Sequence, residues 1–201
     1  FRVGFKEELD ELFTQGLGLL SAEGLITLER VMHDGTKIRA CAGADSFRRE
    51  DRIRSHLEAA REQVATMGDP LAEPSARQRA ARQRAHRERS QRLEQALAEL
   101  VKIREAKAGS EAKEQARVSQ TDPQTRIMKQ GDGCYAPSYN AQLSTDAAHG
   151  IIVGVGVSQA ASDYGELVGA VDRVEQNMGR KPDQARSPLS RSRSGGEKTC
   201  D

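Results

Sequence analysis

The chain has 201 residues, 36% of them hydrophobic, 30% charged and 3% aromatic, with no tryptophan and a net charge of +1. No run approaches the roughly 18 apolar residues that a membrane-spanning helix needs. So few apolar residues also argue against one large core, and imply a solvated helical region beside a smaller globular part.

Residues 1–24 read as a helical N-terminal remnant, with Phe5, Leu9, Leu12 and Phe13 at helical spacing, Ser21 as a cap or turn and Gly24 as a break. The start at Phe1 suggests processing or a fragment. "FRVGFKEELDELF" holds scattered charges and no apolar signal segment, so a soluble, cytoplasmic protein is expected. Residues 25–41, within a first core segment taken as 25–44, read as extended, being rich in Val, Ile and Thr with partial alternation. Residues 45–66 form a helix whose Ile53, Leu57, Ala60 and Val64 make one apolar stripe, with Asp45 or Ser46 as its cap. After the break "MGDPLAEPS", Ser75 and Gln78 fit a capping box that opens a long helix to about residue 108. Its Leu93, Leu97, Leu100 and Ile103 match the first stripe, so residues 45–108 are expected to pair as an antiparallel helical hairpin.

Residues 109–133 read as a loose polar linker. Residues 134–184 hold two strands, about 139–146 and 150–158, joined by a turn at "DAAHG". "IIVGVGV" has the composition of a strand covered on both faces. A helix follows, capped by Ser162 or Asp163, buried through Leu167, Val168, Val171 and Val174, and ended by Gly179. Residues 185–201, "ARSPLSRSRSGGEKTCD", lack apolar periodicity and read as a disordered tail where a β-β-α order calls for another strand.

The chemistry turns on Asp34-Gly35 in "LERVMHDGTKIRACAG". Local rules favour a two-residue hairpin turn, because Asp-Gly between alternating runs suits a type I′ turn. The alternative keeps Asp34 within a strand, as a carboxylate available to a metal ion. The same stretch resembles the first catalytic block of bacterial insertion-sequence transposases of the DDE class. "GCYAPSYNAQLSTDAAHGIIVGVGVSQAASDYGELVGAVDRVEQNMGRKPDQ" resembles their following block, and the charged helical stretch is similar to an insertion found in one subgroup. The similarity covers most of residues 20–184.

The resemblance implies an α/β (α+β) fold: a partial ribonuclease-H-like mixed sheet interrupted by the helical hairpin. It implies DNA cleavage and strand transfer with Mg²⁺ (or Mn²⁺), with DNA ends and target as partners, a homo-oligomer allowed for and no membrane. Asp34 would be the first of three catalytic carboxylates and a metal ligand. The family's second Asp, on a strand soon after "KPDQ", and its later Glu have no counterpart, and Asp183, Glu197 and Asp201 do not take those roles. The chain as written is therefore expected to be inactive and to hold no metal stably. A frameshift near Ala185 would explain the abrupt tail.

Arg77, Arg79, Arg82, Arg84, Arg87, Arg89 and Arg92 form a basic run that could neutralise DNA phosphates, or could be a solvated helix face. The rival function is a non-enzymatic basic helical module that binds nucleic acid or a partner helix. His33 is expected on the strand face opposite Asp34, in a structural or exposed role rather than as a ligand. Lys37 is read as a phosphate contact or a surface lysine, His149 and Asp146 as turn residues, Asp163 as a helix cap, and Tyr135 and Tyr139 as core. Cys41, Cys134 and Cys200 lie too far apart for a zinc motif and read as free thiols.

Overall fold

A computed structural model describes residues 4–66 and 76–187. In chain order it contains α1 (Lys6–Ala22), β1 (Arg30–Arg39), a 3-10 turn (Ala44–Ser46), β2 (Phe47–Arg48), α2 (Glu50–Thr66) and α3 (Ala76–Glu105). Then come α4 (Ser110–Glu114), β3 (Val118–Ser119), β4 (Arg126–Lys129), β5 (Tyr135–Asp146), β6 (Ile152–Ser158), α5 (Glu166–Met178) and β7 (Gln184–Arg186). The class is α/β, with helices and mixed sheets. Among the described residues no helix is long and apolar enough to cross a membrane. The chain divides into two compact units, one made of the chain up to Ile38 and from Tyr139 on, the other of Arg39–Ser138.

In the first unit the strand order is β6-β5-β1-β7. β5 and β6 form an antiparallel hairpin from Asn140↔Ser158 to Thr145↔Ile152, with a bulge at Ser144/Thr145. β7 runs parallel to β1, with Val31 opposite Ala185 and Met32 opposite Arg186. The segment expected to be disordered from residue 185 therefore begins in a strand. Three residues are too few to show periodicity, and their pairing comes from the backbone of β1, which composition does not reveal.

Leu17, Ile26, Leu28, Val31, Val153 and Val174 form this unit's buried apolar cluster. The glycines of "GVGV" let α5 approach β6 closely: a Cβ on Gly154 would lie 3.2 Å from Val174, and one on Gly156 would meet the Arg173 guanidinium. The strand is not covered on both faces as its composition suggested, because Val155 is 50% and Val157 69% exposed. α5 likewise buries Ala170 and Val174 and leaves Val168 exposed. It starts after Gly165 without a side-chain cap, and Gly179 ends it in the left-handed conformation.

Just before β1 the backbone is forced. Leu28 has φ of 56°, a conformation that costs a branched residue about 1–2 kcal/mol. It is held because its side chain is buried, its N–H donates to Asp146 Oδ2 at 2.8 Å, and its carbonyl accepts the Asp183 N–H at 2.9 Å. Asp146 also accepts the Ala148 N–H at 2.9 Å, so it shapes the expected turn and fixes the entry to β1 as well.

In the second unit α2 and α3 pair antiparallel, as the ion pairs Glu50–Arg104 and Arg61–Glu94 show. Ile53, Leu57, Ala60, Leu93, Ala96 and Leu100 are buried along the seam. Leu97, expected in the stripe, is only partly buried, because Ala96 takes the inner position and allows close approach. Asp45 and Ser46 belong to the 3-10 turn, and α2 begins only at Glu50.

The expected linker 109–133 contains α4, β3 and β4. β3 pairs with β2, and β4 pairs antiparallel with Tyr135–Ser138 of β5. Its order comes from short polar side chains: Ser119 Oγ bonds Ser46 Oγ at 2.8 Å and accepts the N–H groups of Thr121 and Asp122. Such side chain-to-backbone bonds leave no hydrophobic period to read. The Ala40 N–H donates to Pro137 O at 2.9 Å, which closes the two ends of this unit on each other. The capping residue proposed at Ser75 lies outside the described residues.

Candidate functional site

β1 passes straight through Asp34-Gly35. A type I′ turn needs positive φ at both central residues; neither has it, and the strand continues to Arg39. Alternation sets Val31 and His33 on the buried side and Met32, Asp34 and Thr36 on the exposed side. Glycine at 35 answers a close approach rather than a turn, since a Cβ there would lie 1.9 Å from Asp163 Oδ1 and 2.6 Å from Gln142 Nε2.

Under Asp34, on the opposite face of the sheet, lies a polar cluster. Asp163 Oδ1 accepts Asn140 Nδ2 at 2.6 Å and Gln142 Nε2 at 2.8 Å, and stands 3.7 Å from Lys37 Nζ. Asn140 Nδ2 also donates to Ala160 O, and His33 Nδ1 is 3.1 Å from Ser144 Oγ. Burial alone would raise the Asp163 carboxyl. The hydrogen bonds from Gln142 and Asn140, with Lys37 and His33 nearby, outweigh it and hold the group below its ordinary value. His33 Nε2, Asn140 Oδ1 and Gln142 Oε1 are buried and make no hydrogen bond among the described residues.

Asp163 is therefore no helix cap, and Lys37 is neither a free surface lysine nor a ready phosphate contact. His33 lies on the face opposite Asp34, as expected, and is buried rather than exposed. The signal for the cluster was present in "YNAQLS": Asn140, Gln142 and Ser144 alternate along one strand and so share one face. Asp163 was missed because nothing local ties it to them.

Asp34 Oδ1 accepts the Gly35 N–H at 2.9 Å, and its carboxylate faces outward. On the adjoining β7 the residue level with Met32 is Arg186, where that strand ends, short of the level of Asp34. Mg²⁺ is held by carboxylate and other oxygen ligands in octahedral geometry, and a two-metal centre needs several carboxylates within a few ångströms. Among the described residues no group of three or more His, Cys, Asp or Glu converges in that way. Among the described residues a lone Asp34 does not fit the metal centre that the resemblance implies.

Of the basic run, Arg77, Arg84, Arg87 and Arg89 are exposed on α3, Arg82 is exposed with a partner, and Arg92 is half-buried. Arg79 lies on α3, but its side chain is outside the described residues. Val64, near the end of α2, shares a depression with Arg87, Ser90 and Gln91, so Arg77–Arg84 lie beyond the last described turn of α2. Tyr135 is 70% exposed, contrary to the expected core position, because it starts β5 beside Lys129 of β4. Cys41 and Cys134 are exposed free thiols, and Cys200 lies outside the described residues.

Compared with protein-family models, curated proteins and solved structures, the chain gives no match.

Proposed function

We propose that this chain carries part of the catalytic core of a DDE-class insertion-sequence transposase, built on a ribonuclease-H-like sheet, and that as written it performs no strand transfer. The observation that carries this reading is Asp34 in the middle of β1, outward-facing on a central strand. An antiparallel hairpin, β5 and β6, flanks that strand on one side and the parallel β7 on the other. The order third-second-first-fourth is that of a ribonuclease-H-like sheet, and a first catalytic Asp belongs on its first strand. The motif blocks quoted from residues 28–43 and 133–184 support the same reading. Its setting is the bacterial cytoplasm, with DNA as partner and Mg²⁺ or Mn²⁺ required only once the missing carboxylates are supplied.

The coding DNA tests the proposal. Translation of the other two frames beyond codon 184 should give an apolar strand carrying Asp, a small residue and Gly. A chain restored in that frame should cut its element ends with Mg²⁺ or Mn²⁺, and Asp34→Asn should abolish the cutting. Absence of that strand from both frames, or cutting indifferent to Asp34→Asn, defeats it.

A second reading, a basic helical module with no enzymatic role, draws on the arginines of α3 that lie past the end of α2. It predicts nucleic-acid binding that survives Asp34→Asn and no activity in any restored chain.

A further inference from the structure

Phe47 and Arg48 of β2 pair with Ser119 and Val118 of β3, and this ladder brings the preceding residue, Arg117, to the start of α2. Arg49 immediately precedes α2, and Arg52 lies in its first turn. Arg48, Arg49, Arg52 and Arg117, with Phe47 and Asp51, line one open depression of about 420 Å³. Four guanidinium groups there meet a single carboxylate.

Other arginines of this unit have carboxylate partners: Arg54 and Arg104 with Glu50, Arg61 with Glu94, Arg126 with Glu99. In the depression Arg48 donates only to the carbonyls of Asp45 and Phe47. The side chains of Arg49, Arg52 and Arg117 make no hydrogen bond or ion pair among the described residues. On its other side Arg49 borders a depression that also holds Glu50 and Glu114; Glu50 is already engaged by Arg54 and Arg104, whose hydrogen bonds hold its carboxyl below its ordinary value. Like charges gathered in one concavity repel one another. Arginine is also disfavoured at the positive end of a helix, where an anion is favoured. Both penalties are relieved by an anion in the depression, and the guanidinium fork suits phosphate oxygens.

We infer that this depression binds backbone phosphates of duplex DNA, as a contact separate from the Arg77–Arg92 run. The choice of DNA as the polyanion rests on the function proposed above; the site itself rests on the four arginines. Phe47 is buried and offers no stacking surface, and no Asn or Gln lines the depression, so the contact reads charge rather than bases.

The test is fluorescence anisotropy of the full chain with a random-sequence duplex across a salt series, comparing wild type with Arg49→Ala/Arg52→Ala/Arg117→Ala. All three side chains are exposed, and circular dichroism checks the fold. The expected result is at least a tenfold loss of affinity near 0.1 M salt, with the salt slope shallower by about 2–3, roughly 0.9 for each phosphate no longer neutralised. The corresponding triple lysine variant should keep most of that slope. Unchanged affinity and slope in the alanine variant overturn the inference. So does binding of single-stranded RNA or heparin that depends on these arginines when duplex DNA is not bound. If the arginine dependence holds while the restored chain fails to cut DNA, the site stands and the transposase reading falls. If a restored chain cuts DNA and its binding is indifferent to these arginines, the transposase reading stands and the site falls.

Discussion

Along the helical hairpin the inner surface is made of Ile53, Leu57, Ala60, Leu93, Ala96 and Leu100, and the charges that accompany it pair at the rim, as Arg61 does with Glu94. Beneath the central strand of the other unit, the corresponding inner positions hold His33, Asn140, Gln142, Ser144 and Asp163. Apolar seams lose stability in proportion to what is removed, and neighbouring side chains relax partly into the gap. A buried polar network fails differently: each lost partner leaves another group desolvated and unpaired. The difference separates a region held by apolar packing from one in which paired polar groups hold a backbone segment, Asp34-Gly35, in a single position.

Three measurements would break or sharpen that contrast. The largest effect is expected in the seam: Leu100→Ala, at a site 1% exposed, should cost about 2–5 kcal/mol in urea denaturation. A loss well under 1 kcal/mol would mean the hairpin is not held by this seam. Next is Asp146→Ala, which removes the acceptors of the Leu28 and Ala148 N–H groups and releases a strained residue. About 1–3 kcal/mol should be lost, with faster hydrogen exchange at Leu28. Retained protection at Leu28 would contradict its dependence on Asp146.

The smallest effect is a change in pH response. Asp163 and Glu99 both have carboxyls held below their ordinary values, Glu99 because Lys102 and Arg126 outweigh the burial that would raise it. A depressed carboxyl contributes stability that is present above its unfolded pKa, about 4, and lost as pH falls through the folded value. Stability should therefore drop on acidification below about pH 4. Asp163→Asn should flatten the part of that drop seen by probes in the sheet, and Glu99→Gln the part seen in the hairpin. Identical profiles for wild type and both variants would remove these carboxylates from the account.

The hairpin was legible because helical spacing is written locally: Ile53, Leu57 and Ala60 declare a face without reference to the rest of the chain. The strand through Asp34 was only half legible. Asp-Gly obeys a local turn rule, and the contact that overrides it, Asp163 against Gly35, joins residues more than a hundred positions apart in the sequence. β7 and the Ser46–Ser119 bond escaped for the same reason, since their order is supplied by partners elsewhere. The depression lined by Arg48, Arg49, Arg52 and Arg117 was hidden because the β2–β3 ladder had to bring its fourth arginine back to the other three.

The bond from the Ala40 N–H to Pro137 O bears on how the chain is assembled. Ala40 and Pro137 stand one residue inside the two ends of Arg39–Ser138, so this stretch of chain closes on itself within its own unit. The entropy of joining its ends grows only slowly with length, by about 0.6 kcal/mol for each doubling. A closure of this kind tolerates changes of chain length between Ala40 and Pro137 at little entropic cost. The helical hairpin can thus change in length without reopening the Ala40–Pro137 closure.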